Sequence, residues 1–125
     1  IVQIALQAAS IDYIMITKPS TWANARLYCR AHYLDLATVQ TKNDWQKLNA
    51  AAARNALSTT GWIGLYNRYN TWNWTCTCPG SYLLSHFAPG QPDNAGGNQT
   101  CAAINANGYW DDYNCADLKP FICYN

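Results

Sequence analysis

The chain has 125 residues, a length typical of one domain with its own hydrophobic core. Charged residues make up 12% of it, the formal net charge is +1, and the eight Lys and Arg residues are scattered. A nucleic-acid-binding protein needs a concentrated basic face to displace counterions, so this class is excluded, and no segment is long and apolar enough for membrane insertion.

The first ten residues, IVQIALQAAS, are apolar and strand-prone. They lack an initiator Met and a basic start and are too short to span a bilayer, so we interpret them as the beginning of a mature chain. We expect residues 1–10 to form an extension, either a strand or a self-association segment, because an unpaired strand edge can add another chain.

Residues 11–17, IDYIMIT, are β-branched and aromatic and predict a strand that ends in a turn at Lys18-Pro19. A helix capped by Ser20 or Thr21 should follow. It is predicted from four residues at the i, i+3, i+4, i+7 spacing of one helix face: Trp22, Ala25, Arg26 and Cys29. The inward face of this helix therefore includes a cysteine.

Thr41 followed by Asp44 resembles a capping box and predicts a second helix that continues through Trp45, Leu48 and alanines 50–53. Beyond it the chain is predicted to be strands and loops. The short strand-like runs are WIGLY, TWNW, CAAIN, YWDD and FICY, separated by Gly, Asn or Pro. The connection between Trp74 and Cys101 has little periodicity, which usually marks a functional loop.

Six cysteines that are not arranged as two C-x-x-C pairs, with only two histidines, fit disulfides better than zinc. Disulfides indicate an oxidising compartment, and we predict a secreted protein. Two N-x-T triplets add possible N-glycosylation at Asn73 and Asn98, which is compatible with a secretory route. A glycan on Asn98 would crowd the neighbouring Gln99.

The order of several motifs resembles the C-type lectin-like domain over residues 11–125. The resemblance is based on TWANARLYCR, DLATVQTKNDWQKL, WIGL, GQPDN, Cys101, YWDD, Cys115 and PFICY, in that order. It implies an α+β fold in which two helices flank a looped double antiparallel sheet, and disulfides cross-link these elements. The implied disulfides are Cys29–Cys123 and Cys101–Cys115.

Cys76 and Cys78 fall outside the pairs that the resemblance implies. Pairing with each other within the chain is slightly favoured. Alternatively, each pairs with another subunit, which would give a covalent dimer or a polymer.

The loop is rich in oxygen donors, and calcium takes six to eight oxygens from carboxylates, amides and water. The resemblance implies one calcium ion that also binds the sugar, with Gln91, Asp93, Gln99, Asp111 and Asp112 as ligands to both. The family usually has Glu where Gln99 stands and Asn where Asp111 stands. The two departures offset each other, so the set still sums to three negative charges and we expect calcium to bind.

The QPD sequence implies galactose-type ligands, with mannose-type equatorial diols as the alternative because the second acid-amide pair is also reversed. Ala95 stands where an aromatic residue usually stacks on the sugar, and Tyr109 or Tyr113 is a substitute. The tryptophans assigned to core and sheet packing, rather than to sugar stacking, are Trp62, Trp72, Trp74 and Trp110.

We predict a carbohydrate-binding lectin that is not an enzyme, because one shared cation explains the clustered aspartates better than glycosidase chemistry. The first alternative is a structural or self-assembling extracellular protein on the same fold. Its oligomers or polymers would form through Cys76, Cys78 or the N-terminal strand. An ice-binding protein is the second alternative.

Overall fold

The structure is a computed structural model that describes residues 11–54, 60–68, 71–75, 97 and 99–125. Within these residues the chain forms two helices and seven strands. The helices are α1, Trp22–His32, and α2, Lys42–Arg54. The strands are β1 Tyr13–Ser20, β2 Asp35–Leu36, β3 Thr60–Arg68, β4 Thr71–Trp74, β5 Cys101–Asn105, β6 Trp110–Tyr113 and β7 Lys119–Tyr124.

The described strands form one sheet in the order β1-β7-β3-β5-β6, with β2 also paired to β7 and β4 to β3. The pairs are antiparallel except that β3 and β7 run parallel where Trp62 meets Phe121. Two helices packed on a mostly antiparallel sheet confirm the predicted α+β class. The strand β6 lies at one end of this order, at the edge of the described sheet.

Both helices begin where the sequence predicted. The Thr21 hydroxyl caps α1 by accepting the backbone N–H of Asn24 at 3.3 Å. At α2 the Thr41 hydroxyl accepts the N–H of Asp44 at 3.1 Å, and the Asp44 carboxylate accepts the N–H of Gln40 at 3.2 Å. The Thr41 bond satisfies one of the amide groups that a helix start leaves without an intrahelical partner, which confirms Thr41 and Asp44 as the start of the helix. The Asp44 side chain bonds the residue before Thr41, so the pair is similar to a capping box without its reciprocal bond.

The predicted end of the first strand is wrong. Strand β1 continues through Lys18-Pro19 to Ser20 instead of turning there. Its pairing with β7 is interrupted between Ile16 and Ser20, so Pro19 lies in the irregular part of the strand that ends the described order, where a missing N–H costs no hydrogen bond to β7. Strand β2 was not predicted, because two residues are too few to show a period.

Alternating residues of the strands divide the core into two clusters, one on each side of the sheet. The α2 side includes Val39, Leu48, Ala51, Ala52, Ile63, Leu65, Trp74, Ala102, Ile104, Trp110 and Ile122. The α1 side includes Ala25, Cys29, Leu36, Trp62, Cys101, Ala103, Phe121 and Cys123. Three of the four tryptophans assigned to packing are buried and the fourth, Trp72, packs against the α2-side cluster, which confirms that assignment.

Both implied disulfides are confirmed. Cys29 of α1 is bonded to Cys123 of β7 with a Cα–Cα distance of 5.3 Å, and Cys101 of β5 is bonded to Cys115 with 5.2 Å. The first bridge fastens α1 to the sheet, and the second closes the base of the β5–β6 hairpin. Cys76, Cys78 and residues 1–10 lie outside the described residues.

Candidate functional site

Three of the five predicted ligands lie in the part of the chain that the structure describes. Asp111 and Asp112 are in β6, and Gln99 lies just before β5. Gln91 and Asp93 lie outside the described residues, as do Ala95 and Asn98. The structure therefore places the half of the predicted site that comes from the β5–β6 hairpin.

The hairpin that presents the two aspartates is fixed at its tip. Gly108 has a φ of 87°, a left-handed conformation that favours glycine, and the Asn105 side chain accepts the N–H groups of Asn107 and Tyr109 across the turn. The indole N–H of Trp45 in α2 donates to the Gly108 carbonyl at 3.2 Å. A Cβ at Gly108 would come within 2.6 Å of the end of the Asn49 side chain, so a larger residue at the tip would require Asn49 to move.

Asp111 and Asp112 lie side by side at the edge of the sheet. They pair with Ala103 and Ala102 of β5, respectively. Alternation along β6 directs Asp111 toward the α1 side and Asp112 toward the α2 side, where Asp112 is 1% exposed. The Asp112 N–H donates to the Asp111 carboxylate at 2.8 Å. Because the two carboxylates leave β6 on opposite sides, a cation that binds both would have to lie beside the edge of the described sheet.

Gln99 lies just before β5, at the base of the β5–β6 hairpin and away from its tip. Its neighbour Thr100 accepts the N–H of Asn67 at 2.8 Å, and the Thr100 hydroxyl lies 3.2 Å from the Cys115 sulfur. The register places Asp111 opposite Ala103, four residues after Gln99, or about 13 Å along an extended strand. A cation shared by Gln99 and Asp111 therefore requires the two side chains to lean toward each other along the edge.

The donor chemistry of these three residues fits calcium. Two carboxylates and one amide supply oxygen atoms, which are the ligands that calcium takes in proteins. Among the residues that the structure describes, no three His, Cys, Asp or Glu side chains come together as a metal cluster. The third predicted carboxylate, Asp93, lies outside them, so the described half contributes two of the three charges.

Three polar side chains lie near Asp111 on the α1 side: Tyr113, which the sequence indicated only as a substitute for sugar stacking, and Thr60 and Lys119, which the sequence did not indicate. The Tyr113 side chain lies near Thr60 and Asp111, and both affect the pKa of its hydroxyl. Lys119 donates from Nζ to the Thr60 hydroxyl at 2.8 Å. Its Nζ also lies 3.8 Å from the centre of the Tyr113 ring and 5.4 Å from that of Trp62. These groups join β7, β3 and β6 on the α1 side of the sheet.

Burial changes the acidity of two of these groups. It raises the pKa of Tyr113, and the nearby charge of Asp111 raises it further. Burial lowers the pKa of Lys119, while the carboxylates of Asp117 and Asp111 act in the opposite direction. The Tyr113 phenol therefore stays protonated to a higher pH than that of an exposed tyrosine.

The two aromatic residues considered for sugar stacking differ in access. Tyr109 at the hairpin tip is 47% exposed. The Tyr113 ring is half-buried, with Lys119 against its face and Trp62 at its edge. Tyr109 is thus the more accessible of the two for a ligand.

The predicted glycosylation site at Asn73 lies in β4. Its side-chain nitrogen, the atom to which a glycan would be attached, donates to the Thr71 carbonyl at 2.9 Å. Thr75, the third residue of the triplet, is buried. Glycosylation at Asn73 stays a prediction.

Comparison with known proteins matches the chain to the Lectin C-type domain over residues 18–125. P-selectin from Mus musculus is 32% identical over 124 residues, which cover 94% of this chain and 16% of the selectin. Perlucin from Haliotis laevigata is 32% identical over 116 residues, which cover 89% of this chain and 74% of perlucin. The chain spans less than a third of the selectins that it matches.

The fold of this chain is also found in solved structures of other proteins. Human lithostathine superimposes with a TM-score of 0.81 at 23% identity, covering 92% of this chain and 91% of lithostathine. The family match includes the β5–β6 hairpin with both aspartates. The chain belongs to the C-type lectin domain family, a family of non-enzymatic carbohydrate-binding domains.

Proposed function

We propose that this domain binds carbohydrate through one calcium ion held by Gln91, Asp93, Gln99, Asp111 and Asp112. The observation that supports the proposal best is the pair of adjacent carboxylates, Asp111 and Asp112, on a sheet edge fixed by a disulfide and a glycine turn. A rigid strand presents oxygen ligands more accurately than a loop does. When bound, calcium would supply open coordination positions that two neighbouring hydroxyls of a sugar can fill.

Calcium titration of the wild-type domain tests the ion directly. We expect uptake of one calcium with a dissociation constant near 10⁻⁴–10⁻³ M, as for extracellular modules. Calcium at about one hundred times this constant should raise the free energy of unfolding by about 2.7 kcal/mol. Isothermal titration and thermal unfolding, each with and without chelator, measure the two effects.

Asp112→Asn is the variant that removes a ligand charge with little change in shape. We expect it to lose calcium uptake and chelator-sensitive glycan binding. Asp12→Asn is the matched control, because Asp12 is an exposed carboxylate beside β1, at the opposite end of the strand order from β6. Equal calcium uptake by both variants would refute Asp112 as a ligand.

Galactose-type ligands are proposed first, and mannose-type diols second. A glycan array read with and without chelator separates them. Tyr109 is the residue proposed to stack on the apolar face of the sugar, because it is exposed next to β6. Tyr109→Ala should reduce glycan binding while leaving calcium uptake unchanged.

Residues 11–125 are proposed as one secreted domain. Strand β1 pairs with β7 near the other end of the chain, so residues 13–20 belong to the same sheet as the rest of the domain. Two disulfides are typical of an oxidising compartment. No helix in the described part of the chain is long and apolar enough to cross a membrane.

Several linked sites would strengthen weak binding to a multivalent glycoconjugate. Assembly through Cys76, Cys78 or residues 1–10 is proposed as the means, and these residues lie outside the described ranges. Mobility on a gel without reducing agent measures covalent assembly. A monomer under those conditions would exclude the interchain disulfides.

A further inference from the structure

A small cleft lies between β1 and α1 on the α1 side of the sheet. Its volume is about 150 Å³, and its apolar walls include Ile16, Tyr28 and Phe121. Phe121 of β7 is paired with Ile16, and its ring centre lies 5.5 Å from that of Tyr28 in an edge-on arrangement. The Tyr28 ring also contacts that of His32, with 4.3 Å between the centres. These contacts fix the aromatic walls, so the β1–α1 cleft is preformed.

The rim of this cleft carries a positive charge that has no carboxylate beside it. Lys18 of β1 lies there, and residues 13–34 contain two further arginines and one histidine but no Asp or Glu. The one ion pair among the described residues joins Arg26 to Asp35, so the Lys18 ammonium has no carboxylate partner in that part of the chain. An apolar cleft with an ammonium group at its rim is complementary to an apolar side chain that has a carboxylate beside it.

Such a pair of side chains projects from the turn before β7. Leu118 is 69% exposed, the largest fraction among the large apolar side chains that the structure describes, and the neighbouring Asp117 is also exposed. The Asp117 N–H donates to the Asn114 carbonyl at 3.0 Å and closes the turn. Asp117 forms no ion pair within the described residues, and the nearby ammonium of Lys119 donates to the Thr60 hydroxyl. The turn therefore presents an exposed leucine together with a carboxylate.

The turn and the cleft are close to each other at the start of α1. Lys119, the residue after Leu118, is paired with Ser20, which lines the cleft. The Trp22 N–H of α1 donates to the Cys115 carbonyl in the turn at 3.0 Å. Leu118 itself does not line the cleft of its own chain. When a projecting side chain and a cleft that fits it share one surface, two copies related by a two-fold axis can exchange them reciprocally, and the contact closes at two copies.

We propose that this domain forms a symmetric dimer in which Leu118 of each copy enters the β1–α1 cleft of the other, with Asp117 beside Lys18. An apolar cavity of roughly 150 Å³ can hold a group of the size of benzene, and a leucine side chain is of similar size. The exchange buries one leucine and forms one ion pair at each of the two contacts. The inference is independent of the proposed calcium site and needs no interchain disulfide. It supplies a non-covalent route to the linked sites that strengthen weak binding.

Sedimentation equilibrium of the full chain, at up to about 1 mM protein, tests the dimer. The contact depends on few side chains, so we expect a weak dimer with a dissociation constant of about 10⁻⁵–10⁻⁴ M. Leu118→Ala removes both inserted side chains at once. With a loss of about tenfold at each contact, this variant should weaken association about 100-fold. A wild type that stays monomeric over this range would overturn the proposal.

Leu34→Ala is the matched control for this variant. Leu34 is 59% exposed and lies beyond the other end of α1, about 16 Å from the start of the helix. The same substitution outside the cleft should leave the dissociation constant unchanged within about twofold. Equal association of Leu118→Ala and Leu34→Ala would mean that Leu118 is not inserted, and the proposed contact would be wrong.

An exchange of charges tests the second part of the contact. Lys18→Glu and Asp117→Lys each place like charges together and should weaken association about tenfold, whereas the double variant should restore it. Both residues are exposed, so the fold should tolerate these changes. A double variant that associates no better than the single variants would refute the placement of Asp117 beside Lys18.

Repeating the measurement in calcium and in chelator separates this inference from the proposed function. We expect the same dimer under both conditions. A dimer that persists while the wild type takes up no calcium would refute the calcium site alone. A monomer that takes up calcium would refute the dimer alone.

Discussion

The two sides of the sheet are stabilised by different means. On the α2 side, Leu48, Ile104 and Trp110 belong to a cluster of mostly aliphatic and aromatic side chains. On the α1 side, both disulfides enter the cluster, and the ammonium of Lys119 lies against Trp62 of the cluster and donates to Thr60. Asp111 faces the α1 side and Asp112 faces the α2 side. The candidate site thus lies at the edge where the two differently built sides meet.

The largest difference should appear when the disulfides are removed in pairs. Cys29→Ala with Cys123→Ala opens a bridge that spans 94 residues and should lower the free energy of unfolding by about 4.7 kcal/mol. Cys101→Ala with Cys115→Ala opens a bridge that spans 14 residues and should cost about 3 kcal/mol. Urea unfolding monitored by circular dichroism measures both.

The order of these two losses is the informative result. Chain entropy makes the longer bridge more stabilising, whereas a local packing effect would not depend on the span. A loss for the Cys101–Cys115 pair equal to or greater than that for the other pair would show that the short bridge acts chiefly by holding the β5–β6 hairpin.

Much of the fold is predictable because it depends on local chemistry. Thr21 and Thr41 cap the helices, and the short runs in the second half form β3 to β7. The end of β1 was missed, because Pro19 usually signals a turn but here lies in the irregular part of the strand that ends the described order. Strand β2 depends on pairing with β7, which no local pattern reveals.

The sequence predicts the ligand residues of the candidate site better than it predicts the residues that surround them. Asp111 and Asp112 follow from the resemblance and lie together in β6. The contacts of Lys119 with Thr60 and with the Tyr113 ring join three strands and residues far apart in sequence. Such contacts depend on the strand order, which is not visible before the fold is known.

A moderate effect is expected from truncation in the α2-side cluster. Leu48 in α2 is completely buried, and Leu48→Ala should lower the free energy of unfolding by about 3 kcal/mol through lost burial and a cavity. Leu27→Ala in α1 is the matched control, because Leu27 is 66% exposed, and it should cost less than about 0.5 kcal/mol. Equal losses in urea unfolding would contradict the view that the α2 side depends on close packing.

The smallest effect concerns Tyr13, a polar group within the α2-side cluster. Its hydroxyl donates to the Thr38 carbonyl at 2.6 Å. Tyr13→Phe should therefore lower the free energy of unfolding at pH 7 by about 1 kcal/mol. Burial, and then the charges of Asp44 and Tyr124, raise the pKa of Tyr13 in the folded state.

The raised pKa of Tyr13 also predicts the pH dependence. In the unfolded chain this phenol ionises near pH 10, whereas in the folded protein it stays protonated. Its contribution to stability is complete below pH 10 and falls as the pH rises further, by about 1.4 kcal/mol at pH 11. The difference between wild type and Tyr13→Phe should thus shrink between pH 9 and 11 in urea unfolding. Other tyrosines affect both proteins alike, so parallel curves would mean that the Tyr13 phenol ionises equally in both states.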